Sequence, residues 1–542
     1  MNGAFTIALA QIDTTVGDLA GNAERIVWAA AAAHEHGAHA VVFPEMALCG
    51  YPPRDLLFDD DFVDAIEKAT RGLAGRARGL PTLLVGTPRR ATRPNPGHPG
   101  LHNSIAIIEN GEIIGWRDKQ LLPSYDVFNE PRWFVPAPPQ APIPLCGISA
   151  GIMICEDMWD AGYKIHPAAF LAAQGAQFLI CASASPYRHG ILEQRRAQAA
   201  RAGLPMLYVN AVGAQDELIF DGGSFVMDGD GVPLATLPRH REALLLATLA
   251  GGRWHDTRVV ELDGGSSFDR GVFSLLAMGI RDFALKNRMR HAVLGLSGGV
   301  DSALVACLAA AALGGQGVTA VAMPSRYSDA RSTDSARELA QALGIEFATV
   351  PIQPAHLALE ALLQPLGNAA ENLQARLRAV ILMNLVNQRG GFLLNTSNKT
   401  ELTLGYGTLY GDLAGTLAPI GDLTKPQVYE LARQCAEIPR FILERPPSAE
   451  LRPEQVDPFD YPVESPYFED IVAGHTPGTS ADRRRIHAAE HKRRQGPVIL
   501  KVSERAFGSG RMVPLTYCDW RDTDEVERVR QEGLPAAAAA TG

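Results

Sequence analysis

Three residues in the first half of this chain and one short run in the second have the types and placement for chemistry. Glu45 follows the apolar run AVVFP, Lys119 lies in WRDKQLLPSYDVFNE (116–130), and Cys155 closes GIMIC and opens CEDMWD. A thiol that attacks an amide needs a base to take its proton and a positive partner for the developing oxyanion. A carboxylate–lysine–cysteine set supplies both. Taken singly, each residue has a plainer reading: a small buried hydrophobe for the cysteine, a helix cap for the glutamate, a solvated charge for the lysine. The second feature is AVLGLSGGVDSALVA (292–306). Its turn, Gly295, Leu296, Ser297, Gly298, Gly299, Val300, Asp301 and Ser302, separates an apolar strand from an apolar helix. Such a turn aims backbone N–H groups and a helix N-terminus at an anion, with Ser297 and Ser302 as further donors. Asp301 suits a phosphate site only if it holds a Mg²⁺ that bridges it to the phosphates. The run lacks the Gly-Lys-Ser/Thr of the Walker loop.

The elements that must position these residues follow from periodicity. In the first half, Phe5–Gln11 reads as a buried strand, 21–36 as an alanine-rich helix and 40–43 as a second strand running into Glu45. Further strands are expected at 82–86, 104–109, 151–155, 177–181 and 207–212, with a helix near 167–175 and a hairpin turn at Asn110-Gly111. The sum is an α/β layered domain. In the second half a helix over 272–285 leads into the glycine turn. Strands at 318–323, 345–350 and 391–394 then alternate with helices at 332–343 and 371–387, the pattern of a doubly wound parallel sheet with ligands at strand C-termini. The domains are expected at 1–248 and 271–542, joined by a glycine-rich linker over 249–270; the tail 535–542, PAAAAATG, reads as a mobile low-complexity end.

Composition narrows the classes. A chain of 542 residues with 46% hydrophobic and 20% charged residues is ordinary globular material for more than one core. A net charge of −10 with no long basic run argues against a nucleic-acid partner. Seven scattered cysteines without Cys-x-x-Cys fit a reducing compartment rather than a disulfide framework or zinc site. The opening residues lack a signal-peptide pattern and no apolar run is long enough to span a bilayer, so a cytoplasmic protein with no membrane partner is expected.

In this wording the first half resembles the nitrilase (carbon–nitrogen hydrolase) superfamily, through strand-P-E at Glu45, K-x-x-L-P-S-Y at Lys119–Tyr125 and I-C-E-D-M-W at Cys155. The resemblance extends over roughly residues 4–245 and implies an α-β-β-α sandwich. It also implies Cys155 as nucleophile, Glu45 as general base, Lys119 on the oxyanion and Glu130 as a second carboxylate orienting the lysine. More narrowly it is similar to the glutaminase domains fused to NAD synthetases, which implies that Tyr125 and Ser185 hold glutamine. That family places Lys or Arg after S-P-x-x-x-G, which suits the glutamine α-carboxylate, whereas this sequence has Ile191; Arg188, three residues earlier, is the candidate to reach that carboxylate instead.

SGGxDS in the second half resembles the pyrophosphate loop of the ATP-pyrophosphatase superfamily, a fold of the adenine nucleotide alpha hydrolase kind. ENLQARLR (371–378), NTSNKTEL (395–402), YGTLYGDLAG (406–415), IGDLTK (420–425) and RPPSAEL (445–451) follow in the order of NAD synthetases. The resemblance implies Mg²⁺ at Asp301 and Glu401. It implies ATP at the 295–302 loop with Thr396, Lys425 and Ser448, and deamido-NAD⁺ near Asn372, Arg376, Glu401 and Lys492. Two departures stand out: Leu409 sits where shorter ammonia-using synthetases carry a lysine, and QVDPFDYP (455–462) replaces an acidic D-E-D-S-L stretch.

Together the resemblances imply ATP-dependent amidation of deamido-NAD⁺, with glutamine as nitrogen donor, ammonia passed along a sheltered path, and a homo-oligomer. Two competing readings are an ATP-pyrophosphatase amidotransferase for another carboxyl or carbonyl, and an amidase with a nucleotide-sensing module.

Overall fold

Strands buried on both faces account for the first half of the molecule. In Phe5–Gln11 the side chains of Phe5, Ile7 and Leu9 face one way and Ala8 and Ala10 the other, and all five are buried. The computed structural model describes residues 4–250, 253–262, 269–496, 501 and 512–521. The chain divides into two compact units, residues 1–270 with 501–542, and residues 271–500.

The first unit packs two sheets face to face. One runs, edge to edge, Arg253–Glu261, Ala243–Ala250, Phe5–Gln11, Ala40–Val42, Thr82–Arg90, Leu101–Glu109 and Glu112–Asp118. The other runs Pro233–Thr236, Phe225–Met227, Met206–Asn210, Phe178–Ser183, Ile148–Ile154 and Ile143–Leu145. Ile7, Leu9, Val42 and Leu84 of the first interdigitate with Ile152, Ile154, Ile180 and Val209 of the second. The outer face of the first sheet is covered by helices Leu19–Glu35 and Asp60–Arg76, that of the second by Pro167–Ala173 and Ile191–Ala200. This is the expected α-β-β-α sandwich. Parallel pairing along Phe5–Gln11, Ala40–Val42 and Thr82–Arg90, and along Ile148–Ile154, Phe178–Ser183 and Met206–Asn210, delivers strand C-termini to one end, where Glu45, Cys155 and Ser185 lie.

The second unit has a parallel sheet in the order Glu346–Thr349, Val318–Ala322, Ala292–Gly295, Phe392–Leu393. Leu294 and Ala320 face helices Val272–Lys286 and Val300–Leu313, while Val293, Val321 and Leu393 face Asn368–Arg389, so both faces are covered. The strand order reverses at Ala292–Gly295, which places a ligand crevice at its C-terminal end.

Two boundaries differ from the sequence reading. The presumed linker contains Arg253–Glu261, which closes a hairpin on Ala243–Ala250; pairing with the sheet edge outweighs the glycines around it. Residues 512–521, placed by sequence in the second domain, pack on the first unit. The tail 535–542 lies outside the described residues.

Candidate active sites

In the first unit the three chemistry-bearing residues converge. Glu45 comes in the turn after Ala40–Val42, Lys119 directly after Glu112–Asp118, and Cys155 at the end of Ile148–Ile154, where it opens a single 3-10 turn with φ +43°. Lys119 Nζ donates to Glu45 Oε1 at 2.7 Å and to Glu130 Oε1 at 2.8 Å. Glu45 also accepts from Asn103 Nδ2 at 2.6 Å and from the Ala184 N–H at 3.0 Å; Glu130 accepts from Tyr51 at 3.1 Å. Glu45, Lys119, Glu130 and Cys155 are each at most 5% exposed, so water does not screen them. Burial and the Glu45 charge push the Cys155 thiol well up, against the pull of Lys119. Burial alone would lower Lys119, but the charges of Glu130 and Glu45 raise it, so it stays an ammonium. Burial lifts Glu130 to about 7 despite Lys119. The cluster is a protonated thiol near a positive charge whose two carboxylates have separate further partners, Asn103 and Ala184 for Glu45 and Tyr51 for Glu130.

Several partners went unassigned in the sequence reading. Asp157 accepts the N–H groups of Gln120 and Leu121, both at 2.9 Å, and of Ile154 at 3.0 Å, which ties the lysine loop to the cysteine turn. Its place in CEDMW was the available signal. Glu156 accepts from Tyr125 at 2.9 Å and Tyr163 at 3.0 Å. Ser185 is buried, and its hydroxyl accepts from Arg195 Nε at 3.2 Å. Arg195 is fully buried, paired with Asp221 at 2.8 Å. Arg188, by contrast, is exposed and donates to Gln194 at 2.5 Å. The buried guanidinium reaching Ser185 is thus one helical turn beyond Ile191, not the one singled out from sequence.

In the second unit the turn after Ala292–Gly295 closes on itself. Ser297 and Ser302 hydroxyls lie 3.2 Å apart, and Ser302 donates to the Gly299 carbonyl at 3.0 Å. Gly298 has φ +81°, and a Cβ there would stand 2.4 Å from the Ser332 carbonyl oxygen. The turn lines a cavity of about 240 Å³ reached also by Met323, Arg378, Thr396 and Ser448. Beyond it, Lys425 Nζ donates to Asp301 Oδ2 at 2.5 Å and lies 3.7 Å from Glu401; Asn398 donates to Asp301 at 2.9 Å. Burial and the charge of Asp301 lift Glu401 to about 8. Asp301 and Glu401 both face the Lys425 ammonium, and carboxylate oxygens are the donors that suit Mg²⁺, so the chemistry of the pair fits that ion. Among the described residues no set of three or more His, Cys, Asp or Glu gathers as a metal site, so the remaining ligands would be phosphate and water oxygens.

The residues expected near deamido-NAD⁺ are tied to the 405–415 segment. Asn372 accepts from Thr408 at 2.7 Å, Arg376 donates to the Leu409 carbonyl at 3.3 Å, and Lys492 donates to the Gly405 and Gly407 carbonyls at 2.8 Å each. The divergent 455–462 stretch is organised by Asp457, which accepts from Tyr406 at 3.1 Å and Tyr461 at 2.9 Å. The Tyr461 ring lies 5.2 Å from Lys425 Nζ.

Comparison with known proteins agrees with this division. Residues 6–259 match the carbon-nitrogen hydrolase family model and 272–493 the NAD synthase model. A glutamine-dependent NAD(+) synthetase of Synechocystis sp. is 39% identical, over 94% of this chain and 98% of its own. That of Rhodobacter capsulatus is 38% identical, over 96% and 100%. The solved structure of the glutamine-dependent NAD⁺ synthetase from Acinetobacter baumannii with ADP superposes with a TM-score of 0.79 at 28% identity, covering 96% of this chain and 99% of that one.

Proposed function

Because this chain belongs to the glutamine-dependent NAD(+) synthetases, we propose that its two clusters divide one reaction between them. The enzyme amidates deamido-NAD⁺ to NAD⁺ at the expense of ATP, with glutamine as nitrogen donor. One observation carries the residue assignments: each unit holds a paired set whose chemistry completes the other's, a buried lysine–glutamate cluster beside Cys155 in the first and a phosphate turn with the half-buried Asp301 and Glu401 around the buried Lys425 in the second.

In the first unit the Cys155 sulfur attacks the glutamine side-chain carbonyl carbon as Glu45 takes the thiol proton. Lys119 stabilises the oxyanion. Collapse expels ammonia, carrying that proton, and leaves a thioester. Water, deprotonated by Glu45, hydrolyses it to glutamate. Tyr125 and Ser185 are assigned to glutamine, with Arg195 holding the Ser185 hydroxyl. Glu156, held by two phenols, is a further group at that site.

In the second unit the nicotinate carboxylate of deamido-NAD⁺ attacks the α-phosphorus of ATP, and pyrophosphate leaves. Ammonia then displaces AMP from the mixed anhydride. The N–H groups of residues 295–302 and the side chains of Lys425, Thr396 and Ser448 bind ATP. Asn372, Arg376 and Lys492 orient the dinucleotide. Asp301 and Glu401 would hold Mg²⁺, which supplies charge neutralisation at the phosphates. Ammonia is mostly protonated in neutral water, so its transfer away from bulk solvent belongs to this proposal, as do a homo-oligomer and a cytoplasmic location. No described helix is long and apolar enough to cross a membrane.

The test is NAD⁺ formation from ATP, Mg²⁺ and deamido-NAD⁺ with glutamine or ammonium, in wild type and Cys155→Ala. The variant should keep the ammonium-driven rate and lose the glutamine-driven one. No NAD⁺ from either nitrogen source in wild type would overturn the reading.

A further inference from the structure

The far end of the chain enters the first unit through a single carboxylate. Asp55 Oδ2 accepts the Met512 N–H at 2.7 Å, and the Asp55 N–H donates to the Met512 carbonyl at 2.8 Å. The same carboxylate accepts Arg132 Nε at 2.8 Å, Arg132 Nη2 at 2.9 Å and the Trp133 indole N–H at 2.9 Å. Arg132 ends the short 3-10 turn that begins with Glu130, and Trp133 caps it; the Glu130 carbonyl accepts the N–H groups of Trp133 and Phe134. Four residues before Asp55 stands Tyr51, the other group that fixes the Glu130 carboxylate. Asp55 therefore joins the two short segments, 51–58 and 130–133, that aim Glu130 at Lys119.

The segment that grips Asp55 is packed rather than draped. Asp216 accepts the Thr516 N–H at 2.6 Å and the Leu515 N–H at 3.1 Å, and Gln215 Nε2 donates to the Thr516 carbonyl. The Cys518 N–H donates to the Val16 carbonyl at 2.9 Å, and Gly17 lies so close that a Cβ there would meet the Cys518 carbonyl oxygen at 2.2 Å. Trp520 stacks obliquely on Phe62 at 5.6 Å, and Arg521 pairs with Asp59. Thr516 and Cys518 are buried. Burial would raise the Asp55 carboxyl, but Arg132, the Met512 N–H and Trp133 hold it below the usual range, so it serves as a permanent anion.

We propose that residues 512–521, acting through Asp55, position Glu130 for glutamine hydrolysis, so that the far end of the chain completes the glutaminase centre. The proposal rests on the reading that Cys155, Lys119, Glu45 and Glu130 hydrolyse glutamine. Glu130 Oε2 has no hydrogen-bond partner, so the direction of the carboxylate depends on Tyr51, Lys119 and the turn that Asp55 holds. A small swing of Glu130 turns the Lys119 ammonium away from the oxyanion, an error that costs rate rather than binding.

The test uses full-length protein. Met512→Pro removes the N–H that Asp55 accepts and leaves the side chains of 51–58 and 130–133 untouched; Asp55→Asn keeps the size and removes the charge. In both, the glutamine-driven kcat should fall about tenfold or more, the span typical of groups that orient a reacting residue. The glutamine KM should hold within about twofold, and the ammonium-driven rate should be unchanged. In a Glu130→Gln background, Met512→Pro should cost nothing further, because both changes act on one group. If glutamine- and ammonium-driven rates fall together, or if the Met512→Pro and Glu130→Gln losses multiply, the positioning role is overturned. If Asp55→Asn does not fold, Met512→Pro alone decides. Failure of the underlying reading looks different: Cys155→Ala would keep its glutamine-driven rate.

Discussion

Asp157 shows how one buried carboxylate ties the loop that carries Lys119 to the turn that carries Cys155. It gathers three backbone N–H groups from the lysine loop and from the last residue before Cys155, and burial lifts its carboxyl to about 6 against those donors. Its folded value lies above the ordinary 3.8, so the stability it contributes is complete below about 3.8 and lost as pH rises through about 6. An Asp157→Asn variant has no such titration. The wild type should therefore lose stability relative to the variant between pH 4 and 7, and thermal unfolding across that range checks it; parallel curves would count against it. At every pH the amide should also cost about 1–3 kcal/mol, since an N–H donor would face another donor. At this scale the sequence showed Glu45, Lys119 and Cys155 because each closes or follows a strand, whereas Glu130, in a turn well past Glu112–Asp118, was marked only by the family resemblance. Tyr51, Asn103 and Arg195 were not legible: they come from separate segments, and only folding brings them to the cluster.

At the scale of elements, the strand–turn–helix at 292–313 was readable because its geometry is local. A buried strand, a glycine turn and an alanine-rich helix are specified by adjacent residues. The structure adds the reason for one glycine. Gly298 combines φ +81° with the near approach of Ser332, so Gly298→Ala is strained in its backbone and has no room for its methyl group. We expect about 1–3 kcal/mol of local strain, a raised KM for ATP and an unchanged glutaminase rate; pyrophosphate release at varied ATP checks it. The strand Arg253–Glu261 was missed for the opposite reason. It is mostly exposed, with Trp254 alone buried, as an edge strand can be, and its partner Ala243–Ala250 supplies the pairing that its own sequence does not advertise.

For the whole molecule the surprise is the end of the chain. If residues 512–521 are part of the first unit, a chain ending at residue 500 should exchange amide hydrogens faster at 51–62 and 214–218, with Ala292–Leu313 unchanged. Faster exchange in the second unit instead would assign the segment there. The sequence by itself marked out the two α/β units and the candidate residues past their strand ends, because strand periodicity and turn glycines are local properties, and the resemblance of its motifs to known families implied the reaction. Only the tertiary structure decided which groups hold those residues in place. Gln215 and Thr516 are 301 positions apart, and Asp55 and Met512 are 457 apart. No periodicity or spacing encodes such pairs. They exist because buried carboxylates and amides must find partners somewhere in the folded chain, and which partners they find depends on how the sheets and turns come together.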